Sequence, residues 1–345
     1  MSIEVDEFGI EEGQAVFRYT LTNKNGLSAS LGNFGATWLD MRVPDSDGNF
    51  DDIILGYDSF AGYRSADNPY FSCTTGRYAN RIGEGKFSID GTEYQLDCND
   101  GVNHLHGGLD GLNIKIWDAE IDEEANSVSF YYTSPDGESS YPGTLDITVI
   151  YTLTDDDELT IAYRALTDKS TIVNLTNHAY FNLNGNGNGL TTDHMLRVNA
   201  DHYLPGNADG LPTGEIASVA DTPFDLRDYV VLQEAYDALA GDGFDHNFCL
   251  NKASANDLSL AAELISEKSG RKLTVYTREP GVQVYGAIHM GPLTGKGDKG
   301  YDKYSAVCLE TQHYPDSPSQ AEFPSTILRP DEEFSSLTVH KFETL

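Results

Sequence analysis

Short apolar runs that alternate with polar residues recur along the chain and predict β-strands. Residues 145–168 contain two such runs on either side of the acidic turn 155–157, which indicates a β-hairpin. Residues 261–279 show the same pattern around a Ser-Gly turn at Ser269 and Gly270. Only residues 231–240 have the spacing of a helix, and a short one. The pattern therefore predicts an all-β fold with few short helices.

Two glycine-rich segments, residues 182–190 and 291–300, are predicted to be loops. A nucleotide-binding fingerprint needs a helix after its glycines, whereas residues 191–198 have the pattern of a strand. The second segment lacks the spacing of a P-loop and has no Ser or Thr after Lys296. No internal repeat or linker divides the 345 residues, and length alone fits one large domain or two ordinary ones.

The charge of the chain is strongly unbalanced. It has 55 acidic and 22 basic residues, which gives a formal net charge of -33. Such a surface repels nucleic acid and anionic membranes, so neither is expected as a partner. Because like charges destabilise a compact state unless salt screens them, we hypothesise adaptation to a salty environment. An ordinary acidic cytoplasmic protein is the alternative.

The beginning of the chain and its cysteines favour a cytoplasmic location. Residues 1–14 have neither the basic nor the apolar region of a secretory signal, and no stretch reaches the length of a membrane span. The four cysteines, at positions 73, 98, 249 and 308, are widely spaced and form no C-x-x-C pair. This spacing is typical of free buried thiols in a reducing compartment, although it leaves a disulfide open.

Glu310 is a candidate catalytic carboxylate. It follows the apolar, β-prone run 304–309 and precedes a Pro-rich loop, so we expect it where a strand leaves the core. A fixed general base could stand at such a position. The simpler interpretation is an acidic residue at a solvated strand end.

His104 and His106 form an H-x-H pair, which in an extended chain points to one face. Such a pair on a strand is a common metal-binding arrangement. The pair lacks the downstream carboxylate at the place that a cupin-like metal site would want, since the next residues are Gly107, Gly108, Leu109 and Asp110. A metal site is therefore the less favoured interpretation.

His178 lies among amide and aromatic residues. Asn174, Asn177 and Asn182 flank it, and Tyr180 and Phe181 offer flat apolar faces. This mixture suits a sugar, which presents hydroxyls and an apolar ring face, although a lone His is often a structural residue. Asp245 and His246 are adjacent, but no G-x-S-x-G motif supplies the nucleophile of a serine hydrolase.

Six sequence blocks then follow one another in order: GRYANRI (76–82), HLHGG (104–108), NLTNHAYFNL (174–183), GFDHNF (243–248), EPGVQVY (279–285) and LETQHYPDSP (309–318), the last followed by FPSTILRP (323–330). Together they resemble the aldose 1-epimerase, or galactose mutarotase, family. The resemblance implies one domain over residues 1–345. It also implies a large antiparallel β-sandwich, the galactose mutarotase-like supersandwich, with a sugar groove on one sheet face.

The resemblance implies an activity as well, the interconversion of α and β anomers of free hexoses such as galactose and glucose, with no cofactor and no metal. Glu310 matches the general base of the family and His178 its general acid. Five more residues fall where the family binds sugar hydroxyls: Asn80, Arg81, His106, Asp245 and Gln283. Departures from the family's usual residues at 112–114, Ser319 and Asp331 bear on which sugar is preferred.

Reference pKa values of about 4.3 for Glu and about 6.5 for His lead us to expect that, in the resting productive state, Glu310 is ionised, His178 is protonated, and the two attract each other. Two other functions stay open, a non-catalytic carbohydrate-binding sandwich and an epimerase of phosphorylated hexoses. The second would need extra cations near the groove, in which this chain is poor, although Arg77, Arg278 and Arg329 have no assigned place. The oligomeric state is not predicted.

Overall fold

A computed structural model describes residues 2–345. It has two short α-helices, α1 (Phe60–Arg64) and α2 (Leu232–Ala238), and is otherwise built from strands, turns and 3-10 segments. The predicted all-β class is confirmed, and α2 lies within the predicted helix at residues 231–240. The sequence pattern does not predict α1, because five residues are too few to show helical periodicity. Within residues 2–345, neither helix has the length and apolar character that a membrane span requires.

Three large sheets contain most of the strands, and their strand orders are as follows. The five-stranded sheet is β1 (Ser2–Glu11), β2 (Gln14–Thr22), β3 (Ser28–Gly32), β4 (Thr37–Pro44) and β5 (Phe50–Asp52). The nine-stranded sheet is β11 (Asp118–Asp122), β12 (Ser127–Ser134), β13 (Leu145–Leu153), β14 (Glu158–Thr167), β30 (Phe334–Thr344), β24 (Arg271–Thr277), β23 (Ser259–Ser266), β18 (Met195–Val198) and β21 (Val230–Val231). The six-stranded sheet is β17 (Tyr180–Phe181), β28 (Val307–Gln312), β25 (Gly281–Tyr285), β22 (Asp245–Leu250), β19 (Ala200–Tyr203) and β20 (Ala217–Ser218).

Short two-stranded ladders complete the fold: β6 (Thr74–Thr75) with β16 (Thr176–Asn177), β7 (Arg81–Ile82) with β10 (His104–Leu105), β8 (Lys86–Ile89) with β9 (Thr92–Gln95), β15 (Thr171–Ile172) with β29 (Ile327–Leu328), and β26 (Leu293–Thr294) with β27 (Gly300–Tyr301). The 3-10 segments are Gly83–Gly85, Leu112–Ile114, Glu138–Ser140, Lys296–Asp298 and Ser317–Ser319. All of these ladders are antiparallel.

The predicted hairpins are both present. β13 pairs with β14 and β23 pairs with β24, and Gly270 closes the second turn with a positive φ of 70°. Along β13 every second residue from Leu145 to Leu153 is buried, as the alternation predicts. Side chains of all three large sheets, such as Trp38, Val149 and Val284, share the main hydrophobic core. This is the packing of a β-sandwich.

Two details differ from the sequence predictions. The strand that carries Glu310 is β28, which begins at Val307 and continues to Gln312, so Glu310 lies inside the strand and is only 2% exposed. The interpretation of Glu310 as an acidic residue at a solvated strand end is therefore wrong. The four cysteines are free, and three are buried as expected, but Cys98 is exposed.

Candidate active site

Glu310 stands in a row of polar side chains across the six-stranded sheet. Antiparallel pairing places Asn247 of β22 opposite Gln283 of β25, and Gln283 opposite Glu310 of β28. Residues directly opposite in neighbouring strands lie on the same sheet face. Asp245 lies two residues before Asn247 and so shares that face. Sheet register alone therefore gathers Asp245, Gln283 and Glu310, which are far apart in sequence.

His178 meets Glu310 from the connection between β16 and β17. Its backbone N–H donates to the carbonyl of Cys73 at 3.1 Å, and its carbonyl accepts from the N–H of Ser72 at 3.0 Å. Its Nε2 lies 3.6 Å from Oε2 of Glu310. Among residues 2–345, Oε2 of Glu310 and Nδ1 of His178 are buried and have no hydrogen-bond partner. The structure thus brings together the two residues predicted to transfer protons.

Aromatic rings surround His178. The ring of Tyr180 is nearly parallel to the imidazole, at 4.9 Å and 10°, and the ring of Tyr70 is nearly parallel at 6.2 Å and 13°. Tyr285 stands edge-on at 6.2 Å and 88°. Phe181, in contrast, is fully buried against Trp38 on the core side, so its expected place beside a sugar is wrong. The alternation of β17 sends Tyr180 and Phe181 to opposite sides.

Asn80 and His106 approach the pair from a second direction and are bonded to each other. The N–H of His106 donates to the carbonyl of Asn80 at 3.1 Å, and the N–H of Asn80 donates to Nδ1 of His106 at 3.2 Å. Both residues have left-handed backbone, with φ of 64° and 51°. The expected extended geometry of the H-x-H pair is therefore wrong. His104 points elsewhere and bonds to the Tyr141 hydroxyl through Nε2 at 2.6 Å.

Arg81 and Asp245 form the charged side of the site. Nε of Arg81 donates to Asp100 at 2.7 Å, and its Nη1 lies 3.8 Å from Asp245. The side-chain amide of Gln283 donates to the other oxygen of Asp245 at 2.7 Å. These contacts hold the guanidinium and the carboxylate in place while leaving each with free hydrogen-bonding capacity. Gln283 itself is buried behind Asp245.

One cavity of about 850 Å³ unites these groups. Six of the seven predicted site residues line it, and Gln283 does not: the six are Asn80, Arg81, His106, His178, Asp245 and Glu310. Arg81 is the single Lys or Arg among the lining residues, since Arg77, Arg278 and Arg329 lie outside the cavity. Arg77 instead donates to the backbone around Pro135 and Gly143, and Arg329 pairs with Asp90.

Burial controls the protonation of the central pair. It raises the pKa of Glu310 well above its ordinary value, the charge of Asp245 raises it further, and Arg81 opposes them. Burial also lowers the pKa of His178 to about 4, against smaller raising effects of its backbone and Asp245. Burial thus disfavours the charged form of each member of the pair in the free site. Desolvation is the largest influence on both groups, and it favours the neutral carboxylic acid and the neutral imidazole.

His106, His178 and Glu310 have potential metal-ligand atoms within 4.8 Å of one another. The hydrogen bond from the backbone N–H of Asn80 to His106 argues against His106 as a metal ligand. Since Nδ1 of His106 accepts a hydrogen bond, Nε2 of the neutral ring carries the proton and is a donor. Burial lowers the pKa of His106 well below its usual value and so keeps the ring neutral. Such a nitrogen can hydrogen bond to a sugar oxygen but offers no lone pair to a metal.

The sequence analysis did not identify two aromatic residues that line the cavity, Tyr285 and Tyr70. Tyr285 could have been found from Gln283 by the i, i+2 alternation of the strand. Tyr70 has no local signal, because its place depends on a left-handed φ of 62°.

Fold and site together define a class, an antiparallel β-sandwich with a buried carboxyl group beside an imidazole in a polar, partly aromatic cavity. The model of the aldose 1-epimerase family matches residues 18–341, so the chain belongs to that family of isomerases. It is 44% identical over 317 residues to the galactose mutarotase of Bos taurus, covering 92% of this chain and 91% of that protein. It is 38% identical over 339 residues to the aldose 1-epimerase of Escherichia coli K12, covering 96% of each chain. The crystal structure of an aldose epimerase homologue from C. elegans has a TM-score of 0.88 and 32% identity, covering 94% of this chain and 98% of that one.

Proposed function

We propose that this protein interconverts the α and β anomers of free hexoses, galactose and glucose among them, with Glu310 as general base and His178 as general acid. The observation that carries the proposal is the 3.6 Å approach of Nε2 of His178 to Oε2 of Glu310 at the cavity wall. Galactose is named because similar proteins are galactose mutarotases. The lining residues from Asn80 to Glu310 lie in one cavity, which supports a single catalytic domain.

Anomer exchange requires the hemiacetal ring to open and close. Glu310 takes the proton from the hydroxyl on C1 while His178 gives a proton to the ring oxygen, so the bond between C1 and that oxygen breaks and an aldehyde forms. After rotation about the bond between C1 and C2, the former ring oxygen attacks the other face of C1. It returns its proton to His178, and Glu310 returns the first proton to the new hydroxyl. No net charge enters or leaves the cycle.

The pKa directions fit these roles. In the productive form Glu310 is ionised and His178 is protonated, so the pair carries one proton in total. Once ionised, a carboxylate whose pKa is raised by burial is a stronger base. Once protonated, an imidazole whose pKa is lowered to about 4 is a stronger acid. Burial thus strengthens both partners.

The sugar hydroxyls are assigned to the remaining polar groups of the cavity. Arg81 and the protonated Nε2 of His106 are donors, Asp245 is an acceptor, and Asn80 offers its side-chain amide. We propose that Gln283 supports sugar binding indirectly, because its side-chain amide holds Asp245 in place.

We also propose a cytoplasmic location, supported by four cysteines that are free in residues 2–345.

Polarimetry of freshly dissolved α-galactose and α-glucose tests the proposal. We expect the wild-type protein to accelerate mutarotation, and Glu310→Gln and His178→Asn each to lower kcat by about 10²- to 10⁴-fold. Glu215 is exposed and does not line the cavity, so Glu215→Gln is the matched control and should leave kcat unchanged. Sugar binding without acceleration would support a carbohydrate-binding protein instead. A preference for galactose 6-phosphate would support a sugar phosphate epimerase.

A further inference from the structure

Tyr70 occupies an unusual backbone position at the edge of the cavity. Its φ is 62°, and that of Ser72 is 54°. Residues other than glycine rarely adopt this left-handed backbone conformation. Its carbonyl accepts from both the N–H and the thiol of Cys73, at 3.4 and 3.3 Å, which stabilises the tight turn. Left-handed residues that the surrounding contacts maintain are concentrated at functional sites.

The turn at Tyr70 is tied directly to His178. Cys73 and Ser72 bond to the backbone of His178 on both sides, at 3.1 and 3.0 Å. The hydroxyl of Tyr180, whose ring is parallel to the imidazole, donates to the carbonyl of Pro69 at 2.9 Å. Residues 69–73 therefore hold the backbone of His178 and one of the two rings parallel to its imidazole.

The Tyr70 ring also contacts both cavity histidines. Its centroid lies 6.2 Å from that of His178 at 13°, and 4.8 Å from that of His106 at 51°. The two imidazoles lie 5.2 Å apart at 64°. Tyr70 lines the cavity beside both of them. The Tyr70 ring thus packs both on His178, the proposed general acid, and on His106, which is proposed to bind the sugar.

We propose that Tyr70 is a positioning residue, whose ring orients His178 and His106 toward the sugar and shields His178 from water. The inference rests on the proposed function for its catalytic consequence, but the orientation and shielding are properties of the free protein. We assign this role to the aromatic ring and not to the hydroxyl, because it is the ring that lies beside both imidazoles.

Shielding has a measurable consequence. The polar and titratable groups that face His178 come from several elements: Glu310, His106, Asp245, Tyr180, Tyr285 and Tyr70. Burial is the largest influence on the pKa of His178 and lowers it to about 4. Removing the Tyr70 ring would admit water on one side, and the pKa should rise toward the ordinary value of about 6.5.

The test uses Tyr70→Asn and Tyr70→Phe in the full chain. Asn tolerates left-handed backbone, so the first variant removes the ring without straining the turn, and the second removes only the hydroxyl. Imidazole NMR titration of the free protein, assigned with His178→Asn, should show a higher pKa for His178 in Tyr70→Asn only. With α-galactose we expect Tyr70→Asn to lose about tenfold or more in kcat, and Tyr70→Phe to stay within about twofold.

The outcomes separate the two proposals. If the wild-type protein does not accelerate mutarotation but the titration of His178 still moves in Tyr70→Asn, the proposed function fails and the positioning role stands. If the wild type is active and Tyr70→Asn leaves kcat and the titration unchanged, the positioning role is overturned. Equal damage in Tyr70→Phe and Tyr70→Asn would also overturn it, because the hydroxyl and not the ring would then matter.

Discussion

The backbone N–H of Asn80 donates to Nδ1 of His106 at 3.2 Å, and this bond sets the tautomer of a histidine that lines the cavity. A neutral imidazole that accepts at one nitrogen must carry its proton on the other. His106 is therefore a hydrogen-bond donor through Nε2. Both residues adopt left-handed backbone, and the reciprocal bond between them keeps the arrangement in place.

The tautomer of His106 predicts which substitution preserves sugar binding. The amide nitrogen of Gln can take the place of Nε2, whereas Asn is too short, so we expect His106→Asn to raise KM about tenfold and His106→Gln to raise it less. Steady-state polarimetry on α-galactose measures both. The ¹⁵N shifts of His106 at neutral pH should show a proton on Nε2, and a proton on Nδ1 would contradict the assignment.

Asp245 predicts a shift of the pH profile with a definite sign. Its negative charge raises the pKa of Glu310 and also that of His178. Asp245→Asn removes this influence, so both apparent pKa values of kcat should fall and Glu310 should become a weaker base. The exposed Asp242, which also lines the cavity, gives the matched control Asp242→Asn. Equal shifts in both variants would show a general effect of charge and not a contact with the pair.

His340 predicts how stability depends on pH. It is buried against Trp38 and Phe181, and burial lowers its pKa to about 4. Between about pH 6.5 and about pH 4, His340 binds a proton in the unfolded chain but stays neutral in the folded protein. The free energy of unfolding therefore falls as the pH drops through this range. This histidine can account for at most about 3 kcal/mol of that fall.

Urea unfolding of wild type and His340→Gln between pH 7 and pH 4.5 measures the contribution of His340. The variant should lose less stability over this range, whatever its stability at pH 7. His202→Gln, at an exposed strand position, serves as the control and should follow the wild type. Parallel curves for wild type and His340→Gln would mean that His340 is protonated in the folded protein.

The net charge of -33 predicts stabilisation by salt. Strand β1 illustrates the cause: of its acidic side chains in residues 2–11, salt bridges are found for Asp6 and Glu11, with Arg18 and Arg64. Screening relieves the repulsion among the unpaired carboxylates, so Tm should rise between low and molar sodium chloride. Sucrose at equal osmolarity separates screening from general solvent effects. An unchanged or lower Tm in salt would remove the hypothesis of salt adaptation.

The sequence by itself determined the class of fold and singled out the two residues proposed to transfer protons. Alternating apolar positions specify strands because side chains point to opposite faces of a sheet, and this local rule located both hairpins. Ordered blocks that resemble the aldose 1-epimerase family pointed to Glu310 and His178, and the structure places them 3.6 Å apart. Both inferences depend on residue type and spacing, which the sequence contains.

Only the tertiary structure decided the environment of those residues. Burial of Glu310 follows from the register of β28 with β25, and it raises the pKa of this carboxyl well above the reference value. The tautomer of His106 and the place of Tyr70 depend on left-handed backbone at Asn80, His106 and Tyr70. Desolvation and such φ values are set by contacts between segments distant in sequence, so no local pattern predicts them.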